Sequence, residues 1–390
     1  MWLLPPIAQQ ILHYLDDTDD ALAFLAAAPN DRLDDALDAL RTLLAMDPEL
    51  PLWPTADIAS LEAAYNVSPS VVAKALPLFK KVQFGYCTNA ALSICRNTEL
   101  PPTTAVSTCV NHNPNSVRAA LGNWLPNLEE LKVVSSYVLD FAPIAENNLS
   151  ECHRLRALTF DQYKRLSQGT FDHALAAVVA RCPQVERFCF GSCSLLSMSD
   201  CKTLLAWLAL PTARHLKLDL TDFRDELGAE LAMTMLTSST LETIDLSEIP
   251  GFTRAILSPS SPPLPRQLRH LGICDYLMCD SYDAIEEQEN AITDPPPALD
   301  EADMANLAAK IATSRLESLE LRLETRCDAT AVISVLPQLP TLTKLVLQDV
   351  HLTSFPPLVQ LLHLKLTWST FSDEAVASLA TLLFQTTKPK

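Results

Sequence analysis

LPTARHLKL (Leu210–Leu218), STLETIDL (Ser239–Leu246), PRQLRHLGI (Pro265–Ile273) and SRLESLEL (Ser314–Leu321) share one pattern, roughly L-x-x-L-x-x-L-x-L, and that pattern decides the fold. Earlier copies are CPQVERFCF (Cys182–Phe190), CHRLRALTF (Cys152–Phe160), LPNLEELKV (Leu125–Val133) and LPLFKKVQF (Leu76–Phe84). Later ones are LPTLTKLVL (Leu339–Leu347) and LLHLKL (Leu361–Leu366), and PPTTAVSTC (Pro101–Cys109) is a degenerate copy. Taking the residue three before the first strand leucine as an anchor gives Leu128, Leu155, Val185, Ala213, Leu241, Leu268, Leu316, Leu342 and Leu361. The steps between them are 27, 30, 28, 28, 27, 48, 26 and 19 residues. Chance does not give five consecutive steps within three residues of each other.

The x-L-x-L-x core of each copy alternates with period two, so it reads as a short strand with its leucines on one face. Between strands lie segments with helical spacing: DHALAAVVARC (Asp172–Cys182), SDCKTLLAWLAL (Ser199–Leu210) and DELGAELAMTML (Asp225–Leu236). Each begins near Ser, Thr or Asp, which cap helix N-termini. One strand with one helix cannot bury both its faces. Stacked copies can, with a parallel sheet on one side and helices on the other.

The motif and its spacing resemble the leucine-rich-repeat family, in its longer ribonuclease-inhibitor-like or cysteine-containing subtypes. The resemblance covers roughly residues 76–385 and implies an α/β solenoid, a horseshoe with a concave parallel sheet and convex helices. The family's Asn or Cys, three residues after the last strand leucine, is poorly kept. Cys193, Thr221 and Ser369 suit that slot, whereas Tyr163, Ile249 and Val350 do not. About ten irregular repeats are expected over residues 56–388. The long step holds an acidic insert, residues 275–303, which contains Pro295, Pro296 and Pro297, and a helix resumes near Leu299 or Asp300. The insert reads either as a solvated loop or as a flap that touches a partner.

Residues 1–55 differ. Ile7, Ile11, Leu12, Leu15, Leu22 and Leu25, then Leu37, Leu40 and Leu44, fall at helical spacing, and Asp31 or Asp34 suits the start of the later helix. This segment resembles an F-box. Leu4 and Pro5 match its start, Ile11, Leu12, Tyr14 and Leu15 its first helix, and Asp20, Leu22, Phe24 and Leu25 its second; Leu52-Trp53 resembles its closing tryptophan. Two departures stand out. Asp16, Asp17, Asp19 and Asp20 make the turn unusually acidic, and Ala26, Ala27, Ala28 and Pro29 replace the Cys/Ser-x-x-Trp element. The resemblance implies that Leu4, Pro5, Ile11, Leu15 and Leu22 face a Skp-family adaptor of a cullin–RING ubiquitin ligase. The alternative is a helical cap over the first repeat's open edge.

Composition excludes other classes. The chain has 390 residues and a formal net charge of −18, which disfavours nucleic acid and anionic lipid as partners. Its seven glycines are scattered, so phosphate-cradling loops are absent. Eleven cysteines form only two loose pairs, Cys189/Cys193 and Cys274/Cys279, and eight dispersed histidines complete no metal set. No catalytic motif is present, so no enzyme and no cofactor is expected. The N-terminus lacks a basic n-region and no stretch is long enough to span a membrane, so a cytoplasmic or nuclear protein with reduced thiols is expected, and the sequons at Asn66 and Asn148 read as chance matches.

The expected working surface is the concave face, binding a protein target. The residues beside the strand leucines include Lys132, Arg187, Lys217, Arg322, Lys344 and Lys365, against Glu130, Asp161, Asp219, Asp245 and Glu320. Six cations and five carboxylates leave this face near +1 on a chain of −18, and His215, His270 and His363 add positive character in mild acid. Such a face suits a neutral or acidic protein surface; alternatively, strands simply carry few acids.

Overall fold

The computed structural model describes residues 4–29, 32–46, 52–85, 88–111, 121–135, 151–162, 179–191, 198–219, 225–275, 298–323 and 326–386. The chain forms two compact units, Met1–Val185 and Glu186–Lys390. Both have the leucine-rich-repeat solenoid architecture.

In the first unit, the described strands are β1 (Thr55–Asp57), β2 (Lys81–Phe84), β3 (Ala105–Asn111), β4 (Leu128–Ser135) and β5 (Ala157–Gln162). Each pairs in parallel with the next in sequence order. Val82, Phe84, Val106, Leu131, Leu158 and Phe160 point to the buried side, none more than 2% exposed. At β3 a threonine takes a leucine slot. Thr108 is buried, and its hydroxyl donates to Phe84 O at 3.1 Å, so the polar atom is satisfied rather than stranded. β1 was not legible in the repeat pattern because only Ala56 faces the core there. Its signal is Asp57, which caps the following helix by accepting from Ala59 N at 3.3 Å.

Three helices precede that ladder: α1 (Pro5–Leu12), α2 (Thr18–Ala26) and α3 (Asp35–Met46). The acidic turn before α2 is a cap, in which the Asp17 carboxylate accepts from Asp19 N at 2.6 Å and Asp20 N at 3.3 Å. Asp34 caps α3 by accepting from Leu37 N at 2.8 Å; Asp31 lies outside the described residues. The helices α4 (Ile58–Val67), α5 (Pro69–Ala75) and α6 (Asn89–Asn97) follow, and α3 packs on α5.

Trp53 ties the helical head to the first repeats. It is 3% exposed, and its ring lies 5.4 Å from that of Phe79 and 6.4 Å from that of His13. Its indole N–H donates to Leu15 O at 2.8 Å, and its backbone N–H donates to the Thr18 hydroxyl at 2.9 Å. Lys74 to Asp35 at 2.7 Å and Lys80 to Asp16 at 3.2 Å add exposed ion pairs across the same junction, each of small weight.

The second unit holds β6 (Arg187–Gly191), β7 (His215–Asp219), β8 (Thr243–Ser247), β9 (His270–Asp275), β10 (Ser318–Leu323), β11 (Lys344–Gln348) and β13 (His363–Thr367), again parallel and in sequence order. The short strands β12 (His351–Leu352) and β14 (Thr370–Phe371) form a separate parallel pair. The connecting helices are α7 (Met198–Leu208), α8 (Asp225–Thr237), α9 (Pro250–Leu257), α10 (Glu301–Ile311) and α11 (Thr330–Val335), and α12 (Asp373–Thr386) follows β14. The helices expected over Ser199–Leu210 and Asp225–Leu236 are thus present within two residues at each end. The one expected over Asp172–Cys182 falls largely outside the described residues, as does most of the acidic insert. The insert is anchored where it begins and ends: Asp275 Oδ2 accepts from Leu299 N at 2.7 Å, and Asp300 and Asp303 form a reciprocal capping box that starts α10.

A second ladder replaces the poorly kept Asn/Cys slot, where Ile249 and Val350 are buried as apolar residues. At five of the anchors the residue just before reaches back to a turn carbonyl of an earlier repeat. In the first unit Asn127 Nδ2 donates to Pro101 O at 2.7 Å and Thr104 O at 2.8 Å, and Gln184 Nε2 to Cys152 O at 3.0 Å. In the second, Gln267 Nε2 donates to Ser238 O at 2.6 Å, Thr341 Oγ1 to Leu316 O at 2.8 Å, and Gln360 Nε2 to Leu336 O and Leu339 O at 3.3 Å. These bonds satisfy carbonyls at the turns where each chain segment enters its strand.

Trp53→Ala removes a large buried side chain and its half-buried indole hydrogen bond to Leu15 O. It should lower the unfolding free energy by about 3–5 kcal/mol, read by urea denaturation. A loss below about 1 kcal/mol, the scale of an ordinary substitution, would mean that the head is held by other contacts.

Candidate protein-binding faces

Two surfaces carry the residues singled out from sequence. The first is on α1. Its N1 and N2 positions are Pro5 and Pro6, which fix φ where no amide partner is needed. Ala8 and Leu12 are buried against the head, whereas Leu4 is 68% exposed, Ile7 43% and Tyr14, just past the helix end, 86%. Ile11 is half-buried. Positions 4, 7, 11 and 14 recur at the three- and four-residue spacing that places side chains along one helix face. The helix is thus apolar on two sides, and only one of them is covered among the described residues. Of the predicted adaptor residues, Leu4 and Ile11 lie on this stripe. Pro5, Leu15 and Leu22 are half-buried, and the Leu15 carbonyl is held by Trp53. Ile7 and Tyr14 complete the stripe; helical spacing placed Ile7, and the F-box resemblance named Tyr14.

The second surface is the open face of the sheet, away from the leucines. In the second unit strand pairing arranges it in rows: Arg187, His215, Thr243, His270, Ser318, Lys344 and His363 share one, and Cys189, Lys217, Asp245, Gly272, Glu320, Val346 and Lys365 the next. All the predicted face residues of this unit lie on the open side, but they fall into two groups. His215 Nδ1 lies 2.9 Å from the Thr243 hydroxyl, and Lys217 Nζ is 3.7 Å from Asp219. His270 Nε2 is 2.8 Å from Asp245 Oδ1, and Arg322 is 2.5 Å from Glu320. These are partly committed inside the sheet. Among the described residues Arg187, Lys344, His363 and Lys365 form no ion pair, so the unneutralised charge lies toward the two ends. In the first unit Lys132 is paired with Asp161 at 2.9 Å, and Lys81 with Glu130 at 2.6 Å.

Burial and the neighbouring Arg187 charge hold the His215 pKa below its ordinary value, so it stays neutral into mild acid. Buried thiols do the opposite. Cys152 is pushed up to about 12 and Cys182 to about 11, chiefly by burial, which leaves them as protonated, unreactive core residues.

Gly272 explains the centre of the second-unit face. Asp245 leans across it to reach His270, and a Cβ on Gly272 would collide with Asp245 Oδ1 while standing 3.3 Å from His270 Nε2. Glycine at this point is required by a side chain, not by a turn. An alternating rim runs beside these rows: Arg214 pairs with Glu242, and Arg269 with Glu317 at 3.2 Å.

No protein-family model matches the chain, and no curated protein is similar to it. Among solved structures it is similar to an internalin (inlF) from Listeria monocytogenes, at 15% identity and a TM-score of 0.32, over 76% of this chain and 69% of that one. Among the described residues no helix is long and apolar enough to cross a membrane, and no group of three or more His, Cys, Asp or Glu is placed to hold a metal ion.

Gly272→Ala should cost about 1–3 kcal/mol through overpacking. Combined with Asp245→Ala, which removes the obstructing carboxylate, it should cost much less than the sum of the two changes. A urea double-mutant cycle reads this directly, and strict additivity would show that the Cβ is accommodated without moving Asp245.

Proposed function

We propose that this chain is a protein-binding scaffold that recruits a substrate to a Skp–cullin–F-box type ubiquitin ligase and catalyses nothing itself. The α1 stripe carries this reading. A helix that served only as a cap needs one apolar face, and α1 satisfies that need with Ala8 and Leu12. Leu4, Ile7, Ile11 and Tyr14 add a second face in water, where exposed apolar side chains grouped together mark interaction sites. Its dimensions suit the docking of a partner helix or groove against i, i+3, i+7 anchors. The open sheet face, where Arg187, Lys344 and Lys365 form no ion pair among the described residues, is the proposed surface for the target, which would present a neutral or acidic patch.

A second reading, a stand-alone scaffold whose head only caps the repeats, is favoured by Trp53 and by the packing of α3 on α5. The two differ in one respect: only the first gives the exposed stripe a partner.

Full-length protein should therefore retain a purified Skp-family adaptor in a pull-down. The double variant Leu4→Asp/Ile7→Asp, altered only at exposed positions, should lose at least about tenfold in affinity, since two central apolar anchors are removed. Its thermal unfolding midpoint should be unchanged. No adaptor binding by the wild type, or equal binding by both proteins, would leave the capping role alone standing.

A further inference from the structure

The last strand of the second unit, β13, differs from the strands before it. It pairs on one side only, with β11, and among the described residues no strand follows it in the ladder. The inner-face residues of β7, β8, β9, β10 and β11 in the leucine slots are at most 2% exposed, whereas Leu364 and Leu366 in the same slots are half-buried. Leu362 just before β13 is 77% exposed, and Trp368 just after it is 68% exposed. Trp368 has φ 51, the left-handed region, as do Glu248 and Asp349 at the same place after β8 and β11. The repeat's turn sets that conformation; what is particular to the last repeat is a large ring standing in water there.

We propose that the free edge of β13 is a docking site for an extended peptide segment that alternates carboxylate and β-branched aliphatic side chains and joins the ladder as one more parallel strand. The backbone supplies the row of partners. His363 N donates to Thr343 O at 3.0 Å and Thr367 O accepts from Asp349 N at 3.1 Å, so these residues face β11. By the alternation of a parallel strand, Leu364 and Leu366 turn their N–H and C=O groups outward. The side chains set the sequence. On the open face the incoming strand meets His363 and Lys365, with Lys344 one strand further in, and none of the three has a carboxylate partner among the described residues. On the inner face it meets Leu364 and Leu366, which lack cover. Acid on one side and aliphatic on the other is the complement. Leu362 and Trp368 then shield the two ends of the added strand.

A second copy of the chain is the poorer occupant. Two β13 edges related by a two-fold axis run antiparallel and bring His363 and Lys365 of one copy against the same residues of the other. His363–Thr367 contains no carboxylate to answer them, and like charges directly opposite are destabilising. This site is distinct from the α1 stripe, and it stands whether or not an adaptor docks there.

The test is fluorescence anisotropy with full-length protein and a labelled EVEVEVE peptide, with KVKVKVK as the charge control. EVEVEVE should bind saturably and KVKVKVK should not. Lys365→Glu should weaken EVEVEVE by about tenfold or more, as one attraction becomes a repulsion. In a parallel addition the peptide's glutamate amides, not its valine amides, face β13. N-methylation of the two central glutamates should therefore abolish binding, and N-methylation of the valines should spare it. Binding that survives both methylations would be plain charge attraction and would overturn the proposal, as would no binding of EVEVEVE. Concentration-dependent dimerisation that Lys365→Glu abolishes would assign the edge to a second copy instead.

Discussion

Each strand of the second unit carries two apolar residues on one face, and parallel pairing in sequence order brings those residues level with their counterparts on the next strand. Leu216 meets Ile244, which meets Leu271, which meets Leu319, then Leu345. Fully burying such a side chain is worth roughly 1.5–3 kcal/mol, and it is realised only when both neighbouring strands are present. The ordering cost of each repeat is offset by contacts that belong to the next. A repeat at an end is short of one neighbour, and its exposure is a direct consequence. The first unit meets this requirement at its start with three helices and Trp53. At β13 of the second unit, the half-buried Leu364 and Leu366 show it unmet among the described residues.

The open face follows from the same register. Because alternate residues must turn away from the leucines, every strand presents its polar residues in aligned rows. Neighbouring rows then neutralise one another wherever opposite charges come level or diagonal. Asp245 reaches His270 across Gly272, and Glu320 holds Arg322. Net charge along the face is thus a poor guide to where a partner is met. The informative residues are those that the register leaves unanswered among the described residues, Arg187, Lys344 and Lys365 in the second unit.

Most of the repeat was legible in the sequence because the leucine period is set by burial, and burial is what hydropathy reports. LPTARHLKL and its copies placed eleven strands, β2 to β11 and β13, and Asp34 and Asp300 marked helix starts by their capping chemistry. β1 escaped because its core residue is a single alanine. The bridging ladder of Asn127, Gln184, Gln267 and Gln360 escaped for another reason. Its hydrogen bonds run to carbonyls 21 to 32 residues away, and no local period betrays an amide whose partner is a turn in another repeat. The cross-strand charge pairs of the open face, His270 with Asp245 and Lys132 with Asp161, were likewise invisible, since they depend on register rather than on chain neighbours. The α1 stripe lay between these cases: its periodicity was plain, but which of its two apolar faces is covered is settled only by packing.

Hydrogen–deuterium exchange resolved to single amides tests the ladder most directly. The amides of β8, β9, β10 and β11 should be the most protected in the second unit, those of His363 and Lys365 should be intermediate, and the outward amides of Leu364 and Leu366 should exchange within the dead time of a fast experiment. Protection of Leu364 and Leu366 equal to that of Leu319 and Leu345 would contradict the account, because it would place a partner on an edge that the register leaves open.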